Sequence, residues 1–291
     1  MRVKLFALLS AAALFVLAAV PASAASQGIG YLALGDSVPF GFSPLLNPTV
    51  ASNFVGYSEI AAQLLNIQDV NSTCPGEATG GFISLTGTDN VCRPYRAALP
   101  LHVSYSTSQL DFATSYLKTH NRTRLVTLTL GANDAFRFQK DCAVGPTFGT
   151  CPLGLNGVLA VMRANLNTIL GAIRATGYTG LIVAVTYYAL NYADPASVGG
   201  AFALNAQMEA AAAGNGALVA SGFDAWAPVA TADGGGDSCV AGLLIRLTPT
   251  SCDVHPTPKG RDLLAEAVVN TVAASCPAAS AIGCLDRNQA A

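Results

Sequence analysis

Charge is scarce in this sequence: Lys and Arg total 15 and Asp and Glu total 17 over 291 residues, a formal net charge of −2. Without a basic excess there is no surface to hold polyphosphate, and nucleic acid is not an expected partner. Histidine is scarcer still, with only His102, His120 and His255. The eight cysteines contain no C-x-x-C pair, so the spacing of a structural zinc site is missing and no metal is expected. Internal repeats and low-complexity linkers are also lacking. The N-terminal apolar run, residues 5–20, is at the short end for a membrane span.

That run follows Arg2 and Lys4 and is followed by the small residues Ala22-Ser23-Ala24, the three-part pattern of a signal peptide. Residues 1–24 are therefore expected to be removed on export. The remainder, residues 25–291, has a length suited to one α/β domain with a substantial core. No stable membrane span is left after cleavage, and a secreted or otherwise extracytoplasmic monomer is expected. All eight cysteines follow the cleavage site, and an even count in an exported chain implies disulfides. Pairing neighbours in sequence, Cys74 with Cys92, Cys142 with Cys151, Cys239 with Cys252 and Cys276 with Cys284, closes short loops at modest entropic cost. The sequence alone leaves other connectivities open.

Short β-rich runs alternate with longer segments of helical period, the pattern of a parallel sheet covered by helices on both faces. The strand candidates are residues 29–34, 67–71, 125–130, 181–186 and 217–220. Few of them alternate strictly, as expected of strands buried on both sides. A helix is read over residues 106–119, opened by a Ser106-x-x-Gln109 capping box, with Phe112, Ala113, Tyr116 and Leu117 facing the core. A second follows Val158, Leu159, Met162, Leu166, Ile169, Leu170 and Ile173 and ends before a left-handed Gly177. A third covers residues 202–213 and closes at Gly214. The last starts at Pro258 behind Thr257 as N-cap and runs towards Ala274, burying Leu263, Leu264, Ala267, Val268 and Val272. Gly234-Gly235-Gly236 reads as a flexible loop over residues 233–237.

Four loop positions carry chemistry-bearing side chains. The first strand runs into Gly35-Asp36-Ser37, at the strand end where open α/β sheets bind ligands. In isolation, such a turn is read more economically as a glycine bend with Asp and Ser as caps. The second strand leads to Cys74-Pro75-Gly76-Glu77, where Gly76 lets a backbone N–H approach a ligand, or where a disulfide merely holds a turn. The third leads to Gly131-Ala132-Asn133-Asp134, which offers the Asn133 amide or an ordinary helix cap. Asp253-Val254-His255-Pro256 precedes the last helix. His102 and His120 are read as structural or solvated, His120 suiting the C-terminal end of a helix dipole.

Taken in order, these four blocks resemble the signature of the GDSL, or SGNH, hydrolase family, over residues 34 to about 274. The absence of a G-x-S-x-G elbow argues against the other common α/β serine-hydrolase fold. The resemblance implies a three-layer α/β/α sandwich with a mainly parallel, flavodoxin-like five-stranded sheet. It also implies acyl transfer without a cofactor, on a small-molecule or lipid ester, with Ser37 as nucleophile and His255 as the base that must be neutral to act. The backbone N–H groups of Ser37 and Gly76 and the Asn133 amide are implied as the oxyanion hole.

The sequence departs from the family at the third triad member. The usual position, three residues before the His, is Cys252, and the carboxylate is Asp253, only two before. In an extended segment Asp253 reaches the imidazole; otherwise a backbone carbonyl from residues 248–252 would orient His255. An apolar acyl pocket from Phe40, Phe42, residues 136–148 and Tyr187-Tyr188 is one reading of the strand-end aromatics, ordinary core packing the other. Esterase or lipase, lysophospholipase and carbohydrate acetylesterase all fit, as does a binding module that has lost catalysis on the same fold.

Overall fold

The computed structural model describes residues 28–275 and Leu285. The expected signal peptide, residues 1–24, and the expected Cys276–Cys284 bridge lie outside the described residues. Strand β1 (Gly30–Gly35) leads to helix α1 (Ser37–Phe40), α2 (Tyr57–Leu65) and β2 (Gln68–Asn71), then α3 (Thr79–Ile83), α4 (Cys92–Ala98) and α5 (Gln109–Thr119). Strand β3 (Thr123–Thr129) precedes α6 (Ala132–Val144) and α7 (Gly154–Ala175), and β4 (Leu181–Val185) precedes α8 (Pro195–Gly214). After β5 (Leu218–Ala220) come α9 (Gly222–Gly234), an antiparallel hairpin of β6 (Leu244–Thr248) and β7 (Ser251–Pro256), and α10 (Pro258–Ala274).

All five expected strands form one parallel sheet in the order β2-β1-β3-β4-β5. Helices α2, α9 and α10 pack together on one face, and α5, α7 and α8 on the other. This is the expected three-layer arrangement, and it puts the topological switch between β1 and β3, where chain order reverses and a crevice opens at the strands' carboxyl ends. The apolar stripe of α7 is buried at all seven expected positions, and Gly177 is left-handed just beyond the helix. Helix α10 begins as read, with Thr257 Oγ1 accepting from the Gly260 N–H behind Pro258.

Two local expectations are corrected. Ser108, not Ser106, caps α5, accepting from the Asp111 N–H at 3.1 Å, because Gln109 turns inward to bind the end of β1 rather than closing a capping box. Residues 233–237 are a bonded turn, not a flexible loop. Helix α9 continues to Gly234, Gly235 and Gly236 donate back to it, the Gly236 carbonyl accepts from Tyr192, and Asp237 caps Cys239 and Val240. The β6–β7 hairpin was not expected, and helix α8 starts seven residues before the reading, behind Asp194 as N-cap.

The disulfides Cys74–Cys92, Cys142–Cys151 and Cys239–Cys252 are formed, consistent with an extracytoplasmic protein. Among the described residues no helix is long and apolar enough to cross a membrane.

Trp226 of α9 is wholly buried, stacks on Tyr188 at 3.6 Å between ring centroids, and donates from Nε1 to the Gly260 carbonyl at 3.0 Å. Trp226→Ala is expected to cost about 3–5 kcal/mol, the usual loss for a large buried aromatic. Urea unfolding should show a lower midpoint with an unchanged slope.

Candidate active site

Three strand ends meet at the switch point, and backbone geometry brings them close. Gly35 has φ +131°, and a Cβ there would lie 2.0 Å from the Thr129 carbonyl oxygen, so only glycine lets β1 turn against β3. The Gln109 side chain grips this residue on both sides, accepting from the Gly35 N–H at 2.7 Å and donating to the Gly35 carbonyl at 3.0 Å. The same carbonyl accepts from Cys74 N–H, and Asp36 N–H donates to Thr129, which ties the Gly76 loop and β3 to the turn.

Asp36 is buried and caps α1, accepting from Val38 N–H at 3.0 Å through one oxygen and from the Tyr187 hydroxyl at 2.6 Å through the other. The Tyr187 oxygen in turn accepts from Ala132 N–H at 3.1 Å, joining the turn to the Asn133 helix. Ser37 is the first residue of α1. Its Oγ lies 2.8 Å from His255 Nε2, and His255 Nδ1 is hydrogen-bonded to Asp253 Oδ1. Strand β7 is extended, so residues 253 and 255 share a side and Asp253 reaches the ring. The same Asp253 oxygen accepts from the His255 N–H at 3.0 Å. Partial burial raises Asp253, but the hydrogen bond and charge of His255 outweigh it and hold the carboxyl below its ordinary range. Phe42 stands edge-on to the imidazole at 4.9 Å.

Gly76 has φ +81°, and a Cβ would lie 2.0 Å from Val91 Cγ2. Among the described residues, the backbone N–H groups of Ser37 and Gly76 have no hydrogen-bond acceptor, and both residues line one cleft with Asn133 and His255. Asn133 is buried at the start of α6. Its Oδ1 accepts from Asn90 Nδ2 at 2.8 Å, which directs its own N–H groups elsewhere, and Asn90 Oδ1 accepts from Lys140 Nζ at 2.7 Å. Asp134 accepts from the backbone N–H and hydroxyl of Thr79 at 2.9 and 2.6 Å, fastening α6 to the loop that carries Gly76.

Ser37, Gly76, Asn133, Asp253 and His255 are therefore brought together. His102 and His120 are elsewhere, His102 against the Phe40 carbonyl and His120 stacked on Tyr116. Of the aromatics read as pocket candidates, Phe42, Phe136, Tyr187 and Tyr188 line the cleft, whereas Phe40 is buried in a satellite cluster with Phe54 and Leu101, and Phe148 is exposed. Sequence reasoning missed Gln109, Asn90 and the hydrogen-bonding roles of both tyrosines. For the tyrosines a signal existed, since polar groups directly after an apolar strand are placed like Ser37 and Asn133.

Sheet order and flanking helices define an α/β/α hydrolase fold of the SGNH type. The chain belongs to the GDSL-like lipase/acylhydrolase family, whose model matches residues 33–263. Among solved structures, a catalytic mutant of an acetylxylan esterase from Geobacillus stearothermophilus is similar with a TM-score of 0.54 at 16% identity, over 84% of this chain and 94% of that one. The phospholipase A1 from Streptomyces albidoflavus is similar with a TM-score of 0.52 at 19% identity, over 84% of this chain and 99% of that one. No curated protein sequence matches significantly. Family and neighbours together support a hydrolase of the esterase type.

Behind the cleft, Glu77 is buried against the Cys74–Cys92 bridge and accepts from Gln109 Nε2 at 3.2 Å. Burial, helped by the nearby Asp89 charge, pushes its carboxyl up from 4.5 to about 8. Between these values the folded chain holds a proton that the unfolded chain has released, so Glu77 lowers stability as pH rises through that window. Glu77→Gln keeps the shape without the titration. Its stability relative to wild type should increase from about pH 5 to about pH 8.5, read from thermal unfolding at each pH.

Proposed function

We propose that this chain is an exported serine ester hydrolase that works through an acyl-Ser37 intermediate. The observation that carries the reading is the run of contacts from Asp253 through His255 to Ser37 Oγ, opening on a cleft bordered by unpaired N–H groups. A serine hydroxyl is a weak nucleophile until a base removes its proton. His255 Nε2 takes that proton as Ser37 Oγ attacks the ester carbonyl, and Asp253 keeps Nδ1 protonated and stabilises the imidazolium. The negative charge that develops on the carbonyl oxygen is met by the Ser37 and Gly76 N–H groups and the Asn133 amide. His255 then returns the proton to the leaving alcohol, and water, activated by the same imidazole, releases the acid from Ser37.

Export of residues 25–291 after loss of residues 1–24 is part of the same reading, supported by the three disulfides. The acetylxylan esterase and the phospholipase mark the breadth of substrates that this fold carries elsewhere.

Purified protein should hydrolyse p-nitrophenyl esters, and Ser37→Ala should abolish both turnover and labelling by a fluorophosphonate. Labelling of some other residue, or turnover that survives Ser37→Ala, would sink the reading. Asn133→Ala should remain folded and lose about a hundredfold in kcat, the ordinary cost of one oxyanion donor. A variant with near wild-type kcat would remove Asn133 from that role.

A further inference from the structure

We propose that the cleft beside Ser37 is a channel for a long alkyl chain, so that the ester cleaved carries a fatty acyl group and not an acetyl group. The proposal rests on the hydrolase reading above and names the substrate of that same site.

The cleft has a volume of about 640 Å³. An acetyl group needs a small fraction of that, whereas spaces of a few hundred cubic ångströms enclose much larger ligands. From Ser37 it extends between α7 and α8, walled by Leu155 and Leu159 on one side and by Gly200, Ala201 and Leu204 on the other. Leu155, Leu190 and Val91 are exposed, and all three line it. Large apolar side chains left together in water along a continuous cleft mark a surface that an apolar ligand covers.

Most polar side chains along the channel are engaged within the protein; Gln139, which is exposed, is not engaged among the described residues. A site that selects a hydroxylated substrate keeps hydrogen-bonding groups free for it. Here the Tyr187 hydroxyl is engaged by Asp36 and Ala132, the Tyr188 hydroxyl donates to the Val254 carbonyl at 2.7 Å, and Asn133 Oδ1 is filled by Asn90. At the far end, Asp194 accepts from Ala196 and Ser197 at the start of α8, and Ser197 Oγ accepts from Asn191. What these side chains leave facing the channel is largely carbon.

Gly200 offers a place to test the channel wall. It sits within α8, where glycine is unfavourable relative to alanine, yet a Cβ there would meet no atom within 4 Å. Packing does not require the missing side chain. Gly200 is exposed and lines the channel, so a larger side chain there has space to project into it.

The test is the hydrolysis of p-nitrophenyl acetate, butanoate, octanoate and dodecanoate below their critical micelle concentrations. For wild type, kcat/KM should climb with chain length, by about three- to fourfold per methylene taken from water, until the channel is full. Gly200→Leu, which fills the α8 wall, should lower the ratio of dodecanoate to acetate kcat/KM about tenfold. Leu155→Trp narrows the channel from an exposed position on α7 and should lower the same ratio even if Gly200→Leu does not fold. Acetate turnover with a flat or declining length profile, or a ratio that neither folded variant changes, overturns the channel and leaves the hydrolase reading intact. Absence of turnover on every ester, together with no fluorophosphonate labelling of Ser37, overturns both.

Discussion

Ser37 and His255 are 218 residues apart in the chain and meet at 2.8 Å, and two adjacent phenols hold that distance. Tyr187 donates to Asp36, the cap of the helix that Ser37 begins, and Tyr188 donates to the Val254 carbonyl beside His255. Both follow β4 directly, so the serine turn and the histidine hairpin are referred to one strand of the central sheet. Burial, aided by the Asp36 charge, raises both hydroxyls well above their ordinary value, so they remain protonated and act as permanent donors. Stacking against Trp226 fixes the plane of Tyr188, and the Cys239–Cys252 bridge fastens the hairpin next to Asp253. A serine–imidazole contact made between loops would otherwise vary by more than a hydrogen bond tolerates.

Strand positions and the buried faces of α7 and α10 were legible in the sequence because they depend on periodicity and caps, which are local. The five strands lie within about two residues of their expected limits, and Val158 to Ile173 face inward as a 3.6-residue period requires. The order Ser37, Gly76, Asn133, His255 was legible because each follows an element end. Gln109 was not, since its sequence context suits a capping box and its true partner lies 74 residues away. Asn90 was hidden for the same reason, in a loop whose shape depends on the Cys74–Cys92 bridge and on Asp89 capping Cys92 and Arg93. The hairpin escaped because its register is irregular and β7 has no clean alternation of buried and exposed residues to read. Asp253 was legible as the candidate partner of His255, with a backbone carbonyl as the alternative, because the choice turned on whether residues 253–255 were extended.

Three acids lie close behind the cleft, and burial governs all of them. It pushes Asp36 and Asp134 up to about 6 each and Glu77 to about 8, despite the donors that Tyr187, Thr79 and Gln109 supply. Desolvation is the larger effect in each case. The carboxyls serve first as hydrogen-bonding ties between strand ends, and their charge is the liability that the ties must offset. Gln109, a neutral amide at the centre of the junction, holds the Gly35 peptide from both sides without adding to that burden.

The chain from Lys140 to Asn90 to Asn133 crosses from solvent to the inner wall in two hydrogen bonds. An ammonium pulls electron density from the first carbonyl it touches, which leaves the attached N–H bonds more polar, and the next amide responds in the same direction. The Asn133 N–H groups thus lie at the inner end of a relay whose charge stays in water. Lys140 stays exposed, so the chain of bonds ends on a cation that the cleft itself does not hold.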